Sequence, residues 1–177
     1  MVIEEFDEHL EISRALLGSY ESVSDLWEAN DHVNVALRLR PNDLGAWILK
    51  SQILSSLEDD PAALASAEMA VRRAPRNAEA QYVRAAVLAD MERYPEALKS
   101  IERSFRHLSR EDEWLVEDLY YEKAAILDAL DRSEEALATF EAGLRRCPES
   151  TLLLAGLEPL RRERMRRNFK VIDGGRC

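Results

Sequence analysis

Small and apolar residues return in phase along most of this chain. Ala29, Val33, Ala36 and Pro41 are followed 34 residues later by Ala63, Ala67, Ala70 and Pro75, and after 34 more by Ala97, Ile101, Ser104 and Ser109. A fourth set, Ala136, Phe140, Gly143 and Pro148, comes after 39. A period of this length belongs to stacked helical units, each unable to bury its own apolar face without a neighbour.

Within each period the pattern predicts two helices. In the second, Trp47, Leu49, Leu54 and Leu57 form an apolar face, and Glu58-Asp59-Asp60-Pro61 interrupts it. Asp60 is expected to cap the next helix, with Pro61 at its first position, where no amide donor is needed. That helix carries Ala63, Ala67, Ala70 and Val71 on one stripe and stops before Pro75. Tyr94-Pro95-Glu96 makes the same break in the third unit and Asp131-Arg132-Ser133 in the fourth, with Ser133 as the expected cap. Asp43, Asn77 and Ser150 are the expected caps between units. The recurrent alanines have a steric reason, since antiparallel helices approach closely only where side chains are small. Ala67 is small where a larger group is usual, and Trp47 is a candidate to fill the space.

These residues resemble the tetratricopeptide repeat, whose pattern is W-x2-L-G-x2-Y followed by A-x3-F-x2-A-x4-P. The second unit carries it in Trp47, Leu54, Ala63, Ala70 and Pro75. The fourth carries it in Tyr120, Ala124, Leu127, Ala136, Phe140, Gly143 and Pro148. The third has Ala85, Leu88, Tyr94 and Ala97, with Ser109 in place of the proline, and the first has Leu16, Tyr20, Ala29, Ala36 and Pro41. The units fall at about 10–43, 44–77, 78–111 and 117–150. Lys50 and Lys123 stand where the pattern has Leu, so looser helix contacts are expected there. Residues 151–170 open with Thr151-Leu152-Leu153-Leu154 and turn basic, reading as a helix that caps the array. Val171 to Cys177, with Gly174-Gly175, reads as a frayed tail. The expected fold class is all-α, with about four helix-turn-helix repeats, and the resemblance implies a right-handed superhelix.

Composition agrees with this reading and removes other classes. The 177 residues include only 6 Gly and 6 Pro, with 46% apolar and 33% charged residues. The formal charge of -10 argues against a protein that coats nucleic acid, which requires neutralising cations. The charge is uneven: residues 1–43 hold ten acids against three bases, residues 112–150 eleven against four, and residues 151–177 three against seven. Cys147 and Cys177 make neither a metal framework nor a disulfide scaffold. No run reaches the ~18–20 apolar residues that cross a bilayer, and the N-terminus lacks a secretory core segment. A cytoplasmic protein without membrane contact is expected. His9, His32 and His107 are isolated along the chain, and neither a Gly-rich phosphate loop nor G-x-S-x-G occurs, so no enzyme, cofactor or metal is expected. Cys147, at a helix C-terminus before Pro148, reads as structural.

The resemblance places a concave binding face on the first helix of each unit. Its positions fall on Glu11, Arg14, Gly18 and Glu21, then Ile48, Gln52 and Ser55, then Glu79, Tyr82, Ala86 and Ala89, then Asp118, Tyr121, Ala125 and Asp128. This implies an apolar, aromatic floor with acidic margins, suited to a peptide or helix of a partner protein. Tyr82 and Tyr121 have a second reading as packing between helices. The lysine, arginine and asparagine clamp with which some members hold acidic tails is absent, since Gly18, Leu49 and Val83 occupy such places. The five extra residues Asp112-Glu113-Trp114-Leu115-Val116 are expected to lengthen the fourth unit's first helix behind a Ser109–Asp112 capping box. Trp114 would then share a helical face with Asp118, Tyr121, Ala125 and Asp128, unless it packs on Phe105 or Leu108. Arg161, Arg162, Arg164, Arg166, Arg167 and Lys170 have three readings: the solvated face of a cap, partners for the acidic 112–150 segment, or an anion contact that includes RNA. The functional expectation is a protein-binding adaptor. Its alternatives are a chaperone or escort for a secreted or aggregation-prone client and an accessory subunit of a ribonucleoprotein. Val2, Ile3, Phe6 and Leu10 can cover the first repeat or join a second copy.

Overall fold

The computed structural model describes the backbone of residues 2–173 and the side chains of residues 3–166. The expectations for Val2, Arg167, Lys170, Gly174, Gly175 and Cys177 therefore lie outside the described side chains. The described backbone is helical throughout, without strands: α1 (Val2–Ser19), α2 (Val23–Leu39), α3 (Leu44–Ser56), α4 (Asp60–Arg73), α5 (Ala78–Asp90), α6 (Tyr94–His107), a 3-10 helix (Arg110–Leu115), α7 (Val116–Ala129), α8 (Ser133–Arg146) and α9 (Thr151–Asp173). Two compact units result, Met1–Leu108 and Ser109–Cys177. The boundary falls at Ser109, where the third period lacks its proline and the five-residue insertion follows.

In the first unit α1–α2, α3–α4 and α5–α6 pair as hairpins. Neighbouring hairpins meet through α2–α3 and α4–α5, while the first helices α1, α3 and α5 also touch in series. The second unit pairs α7 with α8, and α9 packs on both. Ala29, Ala63, Ala97 and Ala136 are wholly buried. Ser13 Oγ donates to the Ala29 carbonyl at 2.8 Å and Ser51 Oγ to the Ala63 carbonyl at 2.9 Å. These contacts mark the close crossing that only small side chains allow.

They also show where the first repeat departs from its expected bounds. Ser51 and Ala63 are 12 residues apart, but Ser13 and Ala29 are 16 apart, so α1 lies one helical turn earlier than the pattern implies. At the expected register Leu17 would stand at the crossing, where a Leu is too large. Phe6 and Leu10 consequently join the core with Val33, Leu37 and Ile53, and Tyr20 falls outside α1 and is exposed. Ile3 is exposed. Trp47 packs against the cluster that contains Ala67, as its size suggests.

The caps between hairpins are those expected. Asp43 accepts from the Ala46 amide at 2.8 Å, Asn77 from Ala80 at 2.8 Å and Ser150 from Leu153 at 3.0 Å. Within hairpins they differ. Asp59, not Asp60, caps α4 by accepting from the Ala62 amide, which moves Pro61 to the second helical position. Ser133 opens α8 instead of capping it, and its hydroxyl donates to Asp128. A backbone motif explains the shift. Glu58, Glu92 and Asp131 adopt φ of 59, 58 and 58°, and the following amides of Asp59, Arg93 and Arg132 bond back to Leu54, Leu88 and Leu127 at 2.8–2.9 Å. This six-to-one closure with a left-handed residue satisfies the last carbonyls of the first helix, and it ends one residue before Asp60 and Ser133, the expected caps. The carbonyls of Pro41 and Pro75 are met equivalently, by Trp47 Nε1 at 2.9 Å and Gln81 Nε2 at 3.0 Å.

In the second unit Leu153, Leu157 and Leu160 of α9 are buried where it packs on α7 and α8. It continues to Asp173, beyond the anticipated end at 170. Close approach requires two glycines. A Cβ at Gly143 would lie 2.8 Å from Tyr120 Cβ and 2.9 Å from Leu153 Cδ1, and one at Gly156 would lie 2.5 Å from Phe140 Cζ.

Two stability changes are expected of this geometry. Glu92→Gly removes the left-handed penalty of a side-chain-bearing residue, ~1–2 kcal/mol, against a smaller entropic loss, and a net gain of ~0.5–1 kcal/mol in urea unfolding is expected. Gly143→Ala gains ~1 kcal/mol of helix propensity but must move Tyr120 at its backbone-anchored Cβ, an overpacking cost of ~1–3 kcal/mol. A lowered thermal midpoint is expected, and a raised one would refute the close contact.

Candidate functional site

The packing of α1, α3 and α5 in the first unit leaves a cleft of about 260 Å3 on the first-helix face. Leu17, Ile48 and Leu49 give it an apolar floor, and Arg14, Gln52 and Glu79 are its polar lining. Arg14, Ile48, Gln52, Gly18 and Glu79 were all placed on the binding face by resemblance, and the fold brings them together. Gly45 was not foreseen. A Cβ there would lie 3.4 Å from Asp43 Oδ1 and 3.5 Å from the Arg14 guanidinium, at ordinary van der Waals contact, so Arg14 lies over the start of α3.

Other expected positions have different roles. Ile48 is only 4% exposed and belongs to the core with Ala70, Ala80 and Val83. It is the floor of the cleft more than a free contact. Tyr82 is half-buried against the same cluster, and Ala86 and Ala89 are half-buried. Ser55 Oγ donates to Asp90 Oδ2 at 3.2 Å, tying α3 to α5. Burial raises the Asp90 pKa, Ser55 pulls it down and the nearby Asp60 charge pushes it up again. Glu11 is exposed on α1, whereas Glu21 lies in the α1–α2 loop and its amide donates to Asp25.

In the second unit the insertion is a 3-10 helix, not an α-helical extension, behind the expected Ser109–Asp112 capping box. The 4-3-4-3 alignment of Trp114 with Asp118, Tyr121, Ala125 and Asp128 is therefore lost, because a 3-10 helix turns every three residues. Trp114 is 60% exposed. Tyr121 packs edge-on to Phe140, with ring centroids 6.0 Å apart and planes at 67°, so its packing role is realised. Asp118 is half-buried, and burial followed by the neighbouring Glu117 charge raises its pKa. Ala125 is exposed, and Asp128 accepts from Ser133 across the hairpin turn.

The arginines of α9 are mostly engaged. Arg161 pairs with Glu141 at 3.2 Å and Arg164 with Glu134 at 3.6 Å, both on α8, while Arg162 lies 3.9 Å from Glu158. Arg166 is exposed. Pairing with the acidic segment thus describes Arg161 and Arg164. Burial, then the charges of Glu117 and Glu113, raises the Cys147 pKa, consistent with an inert thiol. His9 and His32, distant in sequence, meet with Nδ1 atoms 2.7 Å apart. Among the described residues no group of three metal-ligating side chains forms, and no helix is long and apolar enough to cross a membrane.

Residues 117–150 match the family model described as a tetratricopeptide repeat. Compared with curated proteins, the sequence has no significant match. Solved structures are similar in fold. Pseudomonas aeruginosa PilF aligns with a TM-score of 0.78 at 16% identity, covering 98% of this chain and 78% of that one. TTC0263, a thermophilic TPR protein of Thermus thermophilus, aligns at 0.67 and 18% identity, covering 88% and 90%. YrrB, a TPR protein with an unusual peptide-binding site, aligns at 0.64 and 19% identity, covering 90% and 77%. Residues 117–150 thus match a tetratricopeptide repeat, and the all-α fold is the one these solved structures share.

Proposed function

We propose that this chain is a protein-interaction module whose cleft between α1, α3 and α5 holds an apolar side chain from a segment of a partner protein. The observation that carries the reading is the cleft itself. At about 260 Å3 it falls below the ~300–1,000 Å3 of ordinary small-molecule pockets, which favours a single anchoring side chain over a whole metabolite. Arg14, Gln52 and Glu79 beside an apolar floor can pair with the backbone and flanking groups of that segment. The peptide-binding site named for YrrB, a fold neighbour, supports the same class of ligand. The engaged arginines of α9 give the ribonucleoprotein alternative no corresponding support.

Gly18 supplies a clean test. It lines the cleft, and a Cβ built on it meets nothing within 4 Å, so Gly18→Phe fills the space without entering the core. Panning a phage-displayed peptide library should enrich sequences with an apolar anchor. Gly18→Phe should bind them at least about tenfold more weakly, equivalent to ~1.4 kcal/mol, at unchanged helicity. Absence of enrichment, or full binding by the variant, would remove the proposal.

Trp114 is assigned as a second, exposed contact of the other unit. Trp114→Ala should preserve the thermal midpoint and reduce affinity for a captured partner if it is an interface anchor, with a cost of ~2 kcal/mol for a true hot spot. Unchanged affinity would confine the interaction to the α1–α3–α5 cleft. Tyr121→Ala does not serve this purpose, because it also removes the contact with Phe140.

A further inference from the structure

A cation stands at the same place in the first helix of the second and third hairpins: Lys50 in α3 and Arg84 in α5, 34 residues apart. Each reaches back to the second helix of the preceding hairpin. Lys50 Nζ donates to Asn34 Oδ1 at 2.7 Å, and Arg84 Nη2 lies 4.0 Å from Glu68 Oε1. Asn34 and Glu68 are also 34 residues apart, so this is one contact made twice with different acceptors. Between α4 and α5 the cation meets a carboxylate, and between α2 and α3 it meets a neutral amide.

That difference leaves Lys50 in an unusual position. The side chain is half-buried and burial lowers its pKa, yet among the described residues it has no ion pair. Arg38, exposed one turn beyond Asn34 on α2, has none either. Both line an open cleft of about 440 Å3 between α2 and α3, a volume within the range of small-ligand sites. The Trp47 ring forms one wall, 5.6 Å from Lys50 Nζ. Asp31 lines the cleft too, one turn before Asn34 as Arg38 is one turn after it, so the lining sets two cations against one acid. A Leu at position 50, as the repeat pattern has, would fill space here without a desolvated charge. Half-buried charges retained at a position that prefers a hydrocarbon mark candidate functional sites.

We propose that the α2–α3 cleft binds a carboxylate, with Lys50 and Arg38 as its charge partners and Trp47 as its apolar wall. The bound group supplies from outside what Glu68 supplies to Arg84 from within. The source is either a free small acid or an acidic side chain of a protein segment, and the recognising chemistry is the same.

The chain contains three tryptophans, and Trp27 and Trp114 are exposed. Converting both to Phe leaves Trp47 as the sole tryptophan reporter. Its emission is then titrated with sodium succinate, with acetyl-Glu-Glu-Leu-amide, and with sodium chloride at matched ionic strength. A saturable change in the millimolar range with either acid, beyond the chloride control, is expected. Tighter binding of the peptide assigns a protein source, and tighter binding of succinate a small-acid source. Lys50→Leu removes the cation and Asn34→Glu supplies the carboxylate internally. Each should weaken binding about tenfold or more while melting no lower than the parent. Arg38→Gln, at an exposed position, weakens binding without a folding risk. The proposal is overturned if neither acid gives a saturable response, if Lys50→Leu and Arg38→Gln bind as the parent does, or if Asn34→Glu leaves binding intact.

Discussion

Close crossing of two antiparallel helices at a pair of small side chains is the constraint on which the rest of this molecule depends. In the first two hairpins the approach is near enough for a serine hydroxyl on one helix to bond a backbone carbonyl on the other, at Ser13–Ala29 and Ser51–Ala63. In the other two, Ala85 with Ala97 and Ala124 with Ala136 are wholly buried at the corresponding places. Small residues at these points set the hairpin geometry. Everything larger, from Phe6 to Phe140, fills the space that remains. The requirement is strong enough to move an element: α1 shifts by a full turn so that Ser13, not Leu17, stands at the crossing.

The hairpin geometry in turn separates two kinds of surface. First helices that touch in series expose the shallow cleft of Arg14, Gln52 and Glu79 over a floor built from core residues such as Ile48. The contact between one hairpin's second helix and the next hairpin's first helix holds polar positions whose partners vary from repeat to repeat. Arg84 is satisfied by Glu68 and Ser100, whereas Lys50 bonds Asn34 and faces the Trp47 ring, with no carboxylate partner among the described residues. A repeat architecture makes such a departure visible, because each interface is a control for its neighbour. The same comparison shows Trp47 and Gln81 giving unlike side chains one task, the satisfaction of a proline carbonyl.

Several features of the candidate sites depend on local geometry that side-chain identity does not encode. Trp114 lies five residues into a segment with a capping box and acidic first turn, both compatible with an α-helix, but the backbone takes the tighter 3-10 form. Its alignment with Tyr121 is lost for that reason alone. The arginines of α9 look like an exposed basic stripe in sequence. Once α9 packs on α8, Glu141 and Glu134 come within reach of Arg161 and Arg164. His9 and His32 meet only because α1 and α2 are antiparallel.

The amino-acid sequence alone determined the fold class, the hairpin order and the interhelical caps at Asp43, Asn77 and Ser150, because each rests on residue type at a fixed spacing. It also marked Lys50 as a departure from the repeat pattern, where a Leu is usual. Tertiary structure decided the register of α1, the caps within hairpins, which arginines are paired and where clefts open. These depend on how closely helices approach and on which side chains from separate periods meet, and a linear pattern carries neither. A 34-residue spacing states that Lys50 and Arg84 are equivalent, but only folding shows that one has found an amide and the other a carboxylate.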